Sequence, residues 1–125
     1  MKIRIGIILT IFLLFASCAK QQESVAVSVI LSKNQMITIM TDVQLVEAAL
    51  LRKRELGQNI TDLKPVWYDQ LFKHHRINNR IFEENLAYYN QNLDEMEKIL
   101  DEVLTNLSKI QSGFETTKRD DSQKI

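Results

Sequence analysis

An all-α fold, a small antiparallel bundle of about four helices, is predicted by three features of this 125-residue chain. Apolar residues recur three and four positions apart between Met36 and Ile110, the spacing of one helix face. Helix-start chemistry precedes those runs at Ser32, Asn78 and Asn92. One proline and three glycines are too few breakers for a sandwich of many turns.

Ahead of the helices the chain has a different character. Lys2 and Arg4 are basic, Ile5 to Phe15 is apolar apart from Gly6 and Thr10, and Ala16 and Ser17 are small. A basic start, a short apolar run and small residues before a cut describe a secretory signal peptide over residues 1–17. The run falls short of the roughly 20 residues a transmembrane helix needs. Cys18, the chain's one cysteine, follows directly, so cleavage is expected between Ser17 and Cys18 with a diacylglycerol on the thiol. The pattern resembles the bacterial lipobox, with Phe15 where leucine is usual. The plainer alternative is an ordinary signal peptide, or a transmembrane anchor, with a chance cysteine. Charge, length, small residues and lone cysteine agree on the lipoprotein reading. One acyl chain holds only marginally, at about 0.8 kcal/mol per buried CH₂; a diacylglyceryl cysteine with an acylated amine carries three. These lipids are the only non-protein groups expected, and no cofactor is. A single cysteine forms no intramolecular disulfide.

Residues 18–31 are expected to be the lipidated cysteine and a tether, polar from Ala19 to Glu23 and apolar from Val25 to Leu31. The apolar part is a candidate extended segment packed on the domain. Residues 32–113 make the helical domain. Ser32 and Gln35 fit a capping box for a first helix that runs to about Glu55 and stops at Gly57. Met36, Ile39, Met40, Val43, Val46 and Leu50 share one face of it, with Ile37, Leu45 and Leu51 outside that stripe. Thr61 or Asp62 caps a second helix, with Pro65 in its first turn and Trp67, Tyr68, Leu71, Phe72 and His75 on one face. Asn78 caps a third, carrying Ile81, Phe82, Leu86 and Tyr89 inward. Asn92 with Glu95 opens a fourth, where Leu93, Met96, Leu100, Val103, Leu107 and Ile110 step by three and four. Gly113 ends it, and residues 114–125 form a flexible polar tail.

Glu47 stands out because it falls inside the apolar stripe near Met36, Met40 and Val43. An unpaired carboxylate there costs several kcal/mol. Its candidate partners are His75, Arg76, Arg80 and the hydroxyls of Tyr68, Tyr88 and Tyr89. A buried network that fixes packing and a binding or catalytic Glu47–His75 pair both satisfy it. His74 and His75 point about 100° apart on a helix, whereas paired metal ligands want positions four apart, so no metal is expected. One is read as a core and the other as a surface histidine. Arg52, Lys53 and Arg54 complement the negative end of the first helix, or meet anionic headgroups. The formal charge is zero and turns slightly acidic once Lys2 and Arg4 leave, which argues against nucleic-acid binding. No nucleophile elbow, P-loop, zincin helix or Rossmann fingerprint occurs.

Three patches resemble a family of small Bacteroidota lipoproteins with the domain of unknown function 4296. They are Met40 to Ala48, Leu71 to Ile77 followed by Phe82 to Tyr89, and Met96 to Leu104. The resemblance spans the signal, the lipobox and nearly all of the mature domain. It implies a Gram-negative envelope and a helical fold, maps the family's Asp and Glu onto Asp42 and Glu47, and implies no activity. In that phylum surface-exported lipoproteins tend to carry several acids after the cysteine; only Glu23 stands here, which points to a periplasm-facing domain on the outer membrane.

The expected function is a non-enzymatic interaction or scaffold module that docks on an envelope protein through Ile37, Leu45 and Leu51. Asp42, Glu47, His75 and Tyr89 form the candidate buried polar network or binding site. The alternatives are a chaperone-like holder of exported chains, with Met36 and Met40 as adaptable contacts, and an enzyme built on Glu47 and His75.

Overall fold

The computed structural model describes residues 28–122, which form α1 (Lys33–Glu55), α2 (Leu63–His74), α3 (Asn79–Asn90) and α4 (Leu93–Ser122). No strand occurs among the described residues. Ser17 and Cys18, and with them the expected processing and lipidation site, lie outside the described residues.

Local chemistry sets most helix ends. Ser32 accepts from the Gln35 amide at 3.3 Å, and the Gln35 side chain accepts from the Ser32 amide at 2.9 Å, closing the expected capping box. At the other end of α1, Gly57 adopts φ +77. Its amide donates to the Arg54 carbonyl at 2.9 Å, and that of Gln58 donates to Lys53 at 3.0 Å. This is the left-handed reversal that a glycine takes without strain. Asn78 accepts from the Ile81 amide at 3.0 Å, and Asn92 from Glu95 at 3.3 Å.

Two ends differ from expectation. Asp62 precedes α2, but its side chain makes no capping bond; Asn59 instead accepts from the Thr61 amide at 2.9 Å and turns the chain into the helix. Gly113 does not stop α4, which continues to Ser122. A glycine inside a helix costs only about 1 kcal/mol relative to alanine, less than is needed to end one.

α2 closes with the same reversal as α1 but without glycine. Arg76 donates to Lys73 at 3.0 Å and Ile77 to Phe72 at 2.9 Å, with Arg76 at φ 58. A side chain in the left-handed region is strained by about 1 kcal/mol. Arg76→Gly is therefore expected to stabilise the domain by about 0.5–1 kcal/mol, raising the thermal midpoint by a few degrees.

The path follows from a few long-range contacts. Asp42 meets His75 and Glu47 meets Lys64, so α2 descends against α1. The Tyr89 hydroxyl donates to the Leu31 carbonyl at 2.7 Å, which returns the end of α3 to the start of α1. Lys33 pairs with Glu95 at 2.7 Å, and Thr38, Thr41 and Asp42 line a cleft with Asn106, Lys109 and Ile110. So α4 climbs alongside α1 in the same sense. The result is up, down, up, with the descending leg broken at Arg76. The 23 residues of α1 rise about 35 Å and the two 12-residue helices together about 36 Å, so the broken leg matches the height of α1.

The core draws on every helix: Met36, Ile39 and Met40, then Leu71 and Phe72, then Tyr89, then Met96, Ile99 and Val103. Leu31 joins it from outside the helices. Ile37 packs against this core and so is not part of an open surface, while Leu45 and Leu51 stay 38% and 45% exposed. Met36 and Met40, read as adaptable surface contacts, are buried in this core.

Candidate functional site

α1 presents Asp42 and Glu47 to α2 on the two sides of the contact between these helices. Glu47 is not sealed in the core: its side chain is 42% exposed. It takes a hydrogen bond from the Tyr68 hydroxyl and an ion pair from Lys64 at 2.8 Å. The Lys64 ammonium also lies 5.5 Å over the Tyr68 ring. The expected Glu47–His75 pair does not form. α2 crosses so that its first turns, not its last, stand over position 47, and Tyr68 is the only one of the expected partners that reaches it.

The clasp changes both ionisations. Hydrogen bonds from Lys64 and Tyr68 hold the Glu47 carboxyl below the usual carboxylate range, against a smaller opposing effect of burial. Burial, then the hydrogen bond to Glu47, pushes the Tyr68 phenol up to about 12. A lowered acid gives stability that is present above its unfolded value and lost as pH falls. A raised phenol gives stability that is present below pH 10 and lost as pH climbs towards 12. Absorbance titration should show Tyr68 ionising well after an ordinary phenol, with Tyr89 also delayed by burial, and Glu47→Gln should bring the Tyr68 step earlier.

His75 pairs instead with Asp42, Nε2 to Oδ2 at 2.7 Å. A carboxylate only accepts, so Nε2 carries the proton. The His75 side chain is 14% exposed and that of Asp42 39%. His74 is exposed, as expected of one of the two, and stands edge-on to His75, with ring centres 5.1 Å apart; His75 is half-buried at the groove edge rather than in the core. The pair forms one end of a groove of about 390 Å³ between α1 and α2, whose walls include Leu45, Val46, Trp67 and Leu71. Beside it the Lys53 ammonium lies 5.6 Å over the Trp67 ring.

No serine, threonine or cysteine lines this groove. Among the described residues no three His, Cys, Asp or Glu side chains are placed to hold a metal. The groove presents an apolar floor and wall, one carboxylate steadied by an imidazole, and the Trp67 ring.

Tyr89, expected in a network with Glu47, serves a different one. Residues 28–31, grouped with the tether by their sequence, are strapped along α3. Ser28 donates its amide and hydroxyl to Glu84 at 3.1 and 2.7 Å. Asn85 accepts from the Leu31 amide at 2.8 Å and donates to the carbonyls of Val29 at 2.7 Å and Ile81 at 2.8 Å. Glu84 is held below the usual carboxylate range by the two Ser28 donors, with Arg80 adding to them. Sequence reasoning passed over Asn85, although it lies midway between Ile81 and Tyr89 in steps of four, on the inward face.

A family model described as Domain of unknown function (DUF4296) matches residues 28–113. Neither a curated protein nor a solved structure matches the chain. The match begins at Ser28, the first strapped residue, and takes in the core, the Asp42–His75 pair and the Glu47 clasp. The chain belongs to the family with the domain of unknown function DUF4296.

Proposed function

We propose that the chain is a Bacteroidota lipoprotein, anchored through Cys18 at the periplasmic side of the outer membrane, whose domain docks on another envelope protein without catalysing a reaction. The observation that carries the docking role is the groove between α1 and α2. Leu45 stays 38% exposed there, and the Trp67 ring lines the same groove. The anchor is supported by the basic start, the apolar run, the small residues and the lone cysteine. Nine residues lie between Cys18 and the strap, and the ten steps reach at most about 35 Å, so an anchored domain stays in a thin layer beside the membrane. That confinement raises its effective concentration for a membrane partner.

The test is made in the native host with a C-terminal tag, gentle crosslinking and mild detergent. One membrane protein enriched at fixed stoichiometry is the expected result. Leu45→Glu should abolish that enrichment while the helical circular dichroism stays intact. Cys18→Ser should release the protein from the membrane fraction. Recovery of the wild-type protein alone would overturn the docking role, and membrane retention of Cys18→Ser would overturn the anchor.

A further inference from the structure

We propose that the α1–α2 groove receives an amphipathic helix of the partner, laid antiparallel to α1, with a basic residue against Asp42 and an acidic residue beside Lys53. This rests on the docking role proposed above and names the chemistry of its partner.

The groove has a charge at each end. Asp42 closes one end, with one carboxylate oxygen engaged by His75. Beside the other end, just outside the groove's lining, Lys53 lies over Trp67 and also donates to Gln58 at 3.2 Å. Between them run Leu45 and Val46 from α1 and Trp67 and Leu71 from α2. Asp42 and Lys53 are eleven positions apart on one helix, a rise of about 16 Å. A helix laid along the groove returns to the same face after eleven residues, so it can carry both complementary charges with apolar residues between them. An extended peptide turns alternate side chains away and covers the same span in about five residues.

One further observation favours a helix. Ala49 is exposed on the same face of α1 as Asp42 and Lys53, and its small side chain allows a second helix to approach to the usual 8–10 Å. The partner's polarity follows from the charges. Acids are favoured near a helix N-terminus and bases near the C-terminus. The acidic end therefore sits over Lys53 and the basic end over Asp42, antiparallel to α1. Gln70 and His74 on the α2 wall supply polar contacts along the way.

Among the described residues the core cluster and the side chains packed on it lie between Leu31 and Leu107, all kept in the chain begun at Ala19. That unlipidated chain is titrated with two synthetic helices of about sixteen residues, a length near the limit of marginal helix stability. Both carry leucines at three- and four-residue spacing. One has Glu near its N-terminus and Arg eleven positions later; the other has the two exchanged. Trp67, the chain's one tryptophan, reports binding by its fluorescence.

The expected result is that the first peptide binds at least about tenfold more tightly than the exchanged one, the scale of a few like-charge contacts avoided. Lys53→Glu should abolish or reverse the preference, and Leu45→Glu should weaken both peptides. Circular dichroism verifies that each variant is folded, and Lys53, half-buried but outside the hydrophobic core, keeps the test decisive if Leu45→Glu unfolds. Equal binding of the two peptides, or no fluorescence response, would overturn the proposal. So would equal competition by dodecyltrimethylammonium below its micelle concentration, which would make the groove a site for simple cationic amphiphiles. A single envelope partner lost on Leu45→Glu, together with no peptide preference, would leave the docking role standing and remove only the helical partner.

Discussion

Asn85→Ala is expected to destabilise the domain by about 3 kcal/mol or more, a large share of the 5–15 kcal/mol that holds a typical domain. Asn85 is fully buried at 0% exposure and makes three hydrogen bonds, two of them to the strap. Alanine leaves the Leu31 amide and the Val29 carbonyl without their side-chain partner and opens a cavity where the carboxamide stood. An unsatisfied buried backbone group costs about 1–3 kcal/mol before any cavity is counted. Asn85→Asp should be no better, because it keeps the acceptor for Leu31 but loses both donated bonds and buries a charge. Tyr89→Phe removes only the hydroxyl bond to Leu31 and should cost about 1 kcal/mol. Denaturant melts of the three variants measure this order. Equal, small effects would show that the strap contributes little to folding.

Acid should loosen the same strap. Ser28 keeps the Glu84 carboxyl ionised below its ordinary range, so this contact stabilises the fold above that range and is lost as pH falls. The protection of the Ser28 amide, relative to its intrinsic exchange rate, should fall in acid before protection in α1 or α4 does. In Glu84→Gln the Ser28 amide should exchange rapidly already at neutral pH, with Leu31 still held by Asn85.

The helices were legible because their signals are local. The Ser32 capping box, the Asn78 and Asn92 caps and the Gly57 reversal depend on residues within a turn of one another, and all four are found. The four-helix, all-α architecture follows from them and from the apolar spacing. The polar site was legible only in its membership. Asp42, Glu47, His75 and Tyr89 all take part in long-range hydrogen bonds, but in three separate sets. Pairing depends on where α2 crosses α1, which a helical wheel does not contain. Asn85 was missed because asparagine is a surface and turn residue by habit; only the three backbone partners that reach it make burial tolerable. Leu45 and Leu51 were read as surplus apolar residues and are exposed, while Ile37 found the core because α4 rises beside the first half of α1.

Phe72→Ala is expected to cost about 4 kcal/mol, within the range for removing a buried aromatic ring. Phe72 is the point at which the descending leg is broken and held. Its ring is buried against Tyr68, 5.8 Å between centres, and against Phe82 of α3 at 5.2 Å. Its carbonyl accepts the Ile77 amide and so closes the reversal at Arg76. Such ring pairs add about 0.5–1.5 kcal/mol each beyond the area they bury. The loss therefore falls on the contact between α2 and α3, and through Tyr68 it also loosens the Glu47 clasp. Phe72→Leu keeps a branched apolar side chain and should lose clearly less. Thermal melts followed by tyrosine absorbance would separate two outcomes. If the whole domain melts in one step at a lower temperature, the broken leg is part of a single cooperative core. If α2 and α3 melt first while α1 and α4 stay helical, the long parallel pair is stable by itself, and Phe72 serves to present the wall of the groove rather than to hold the fold.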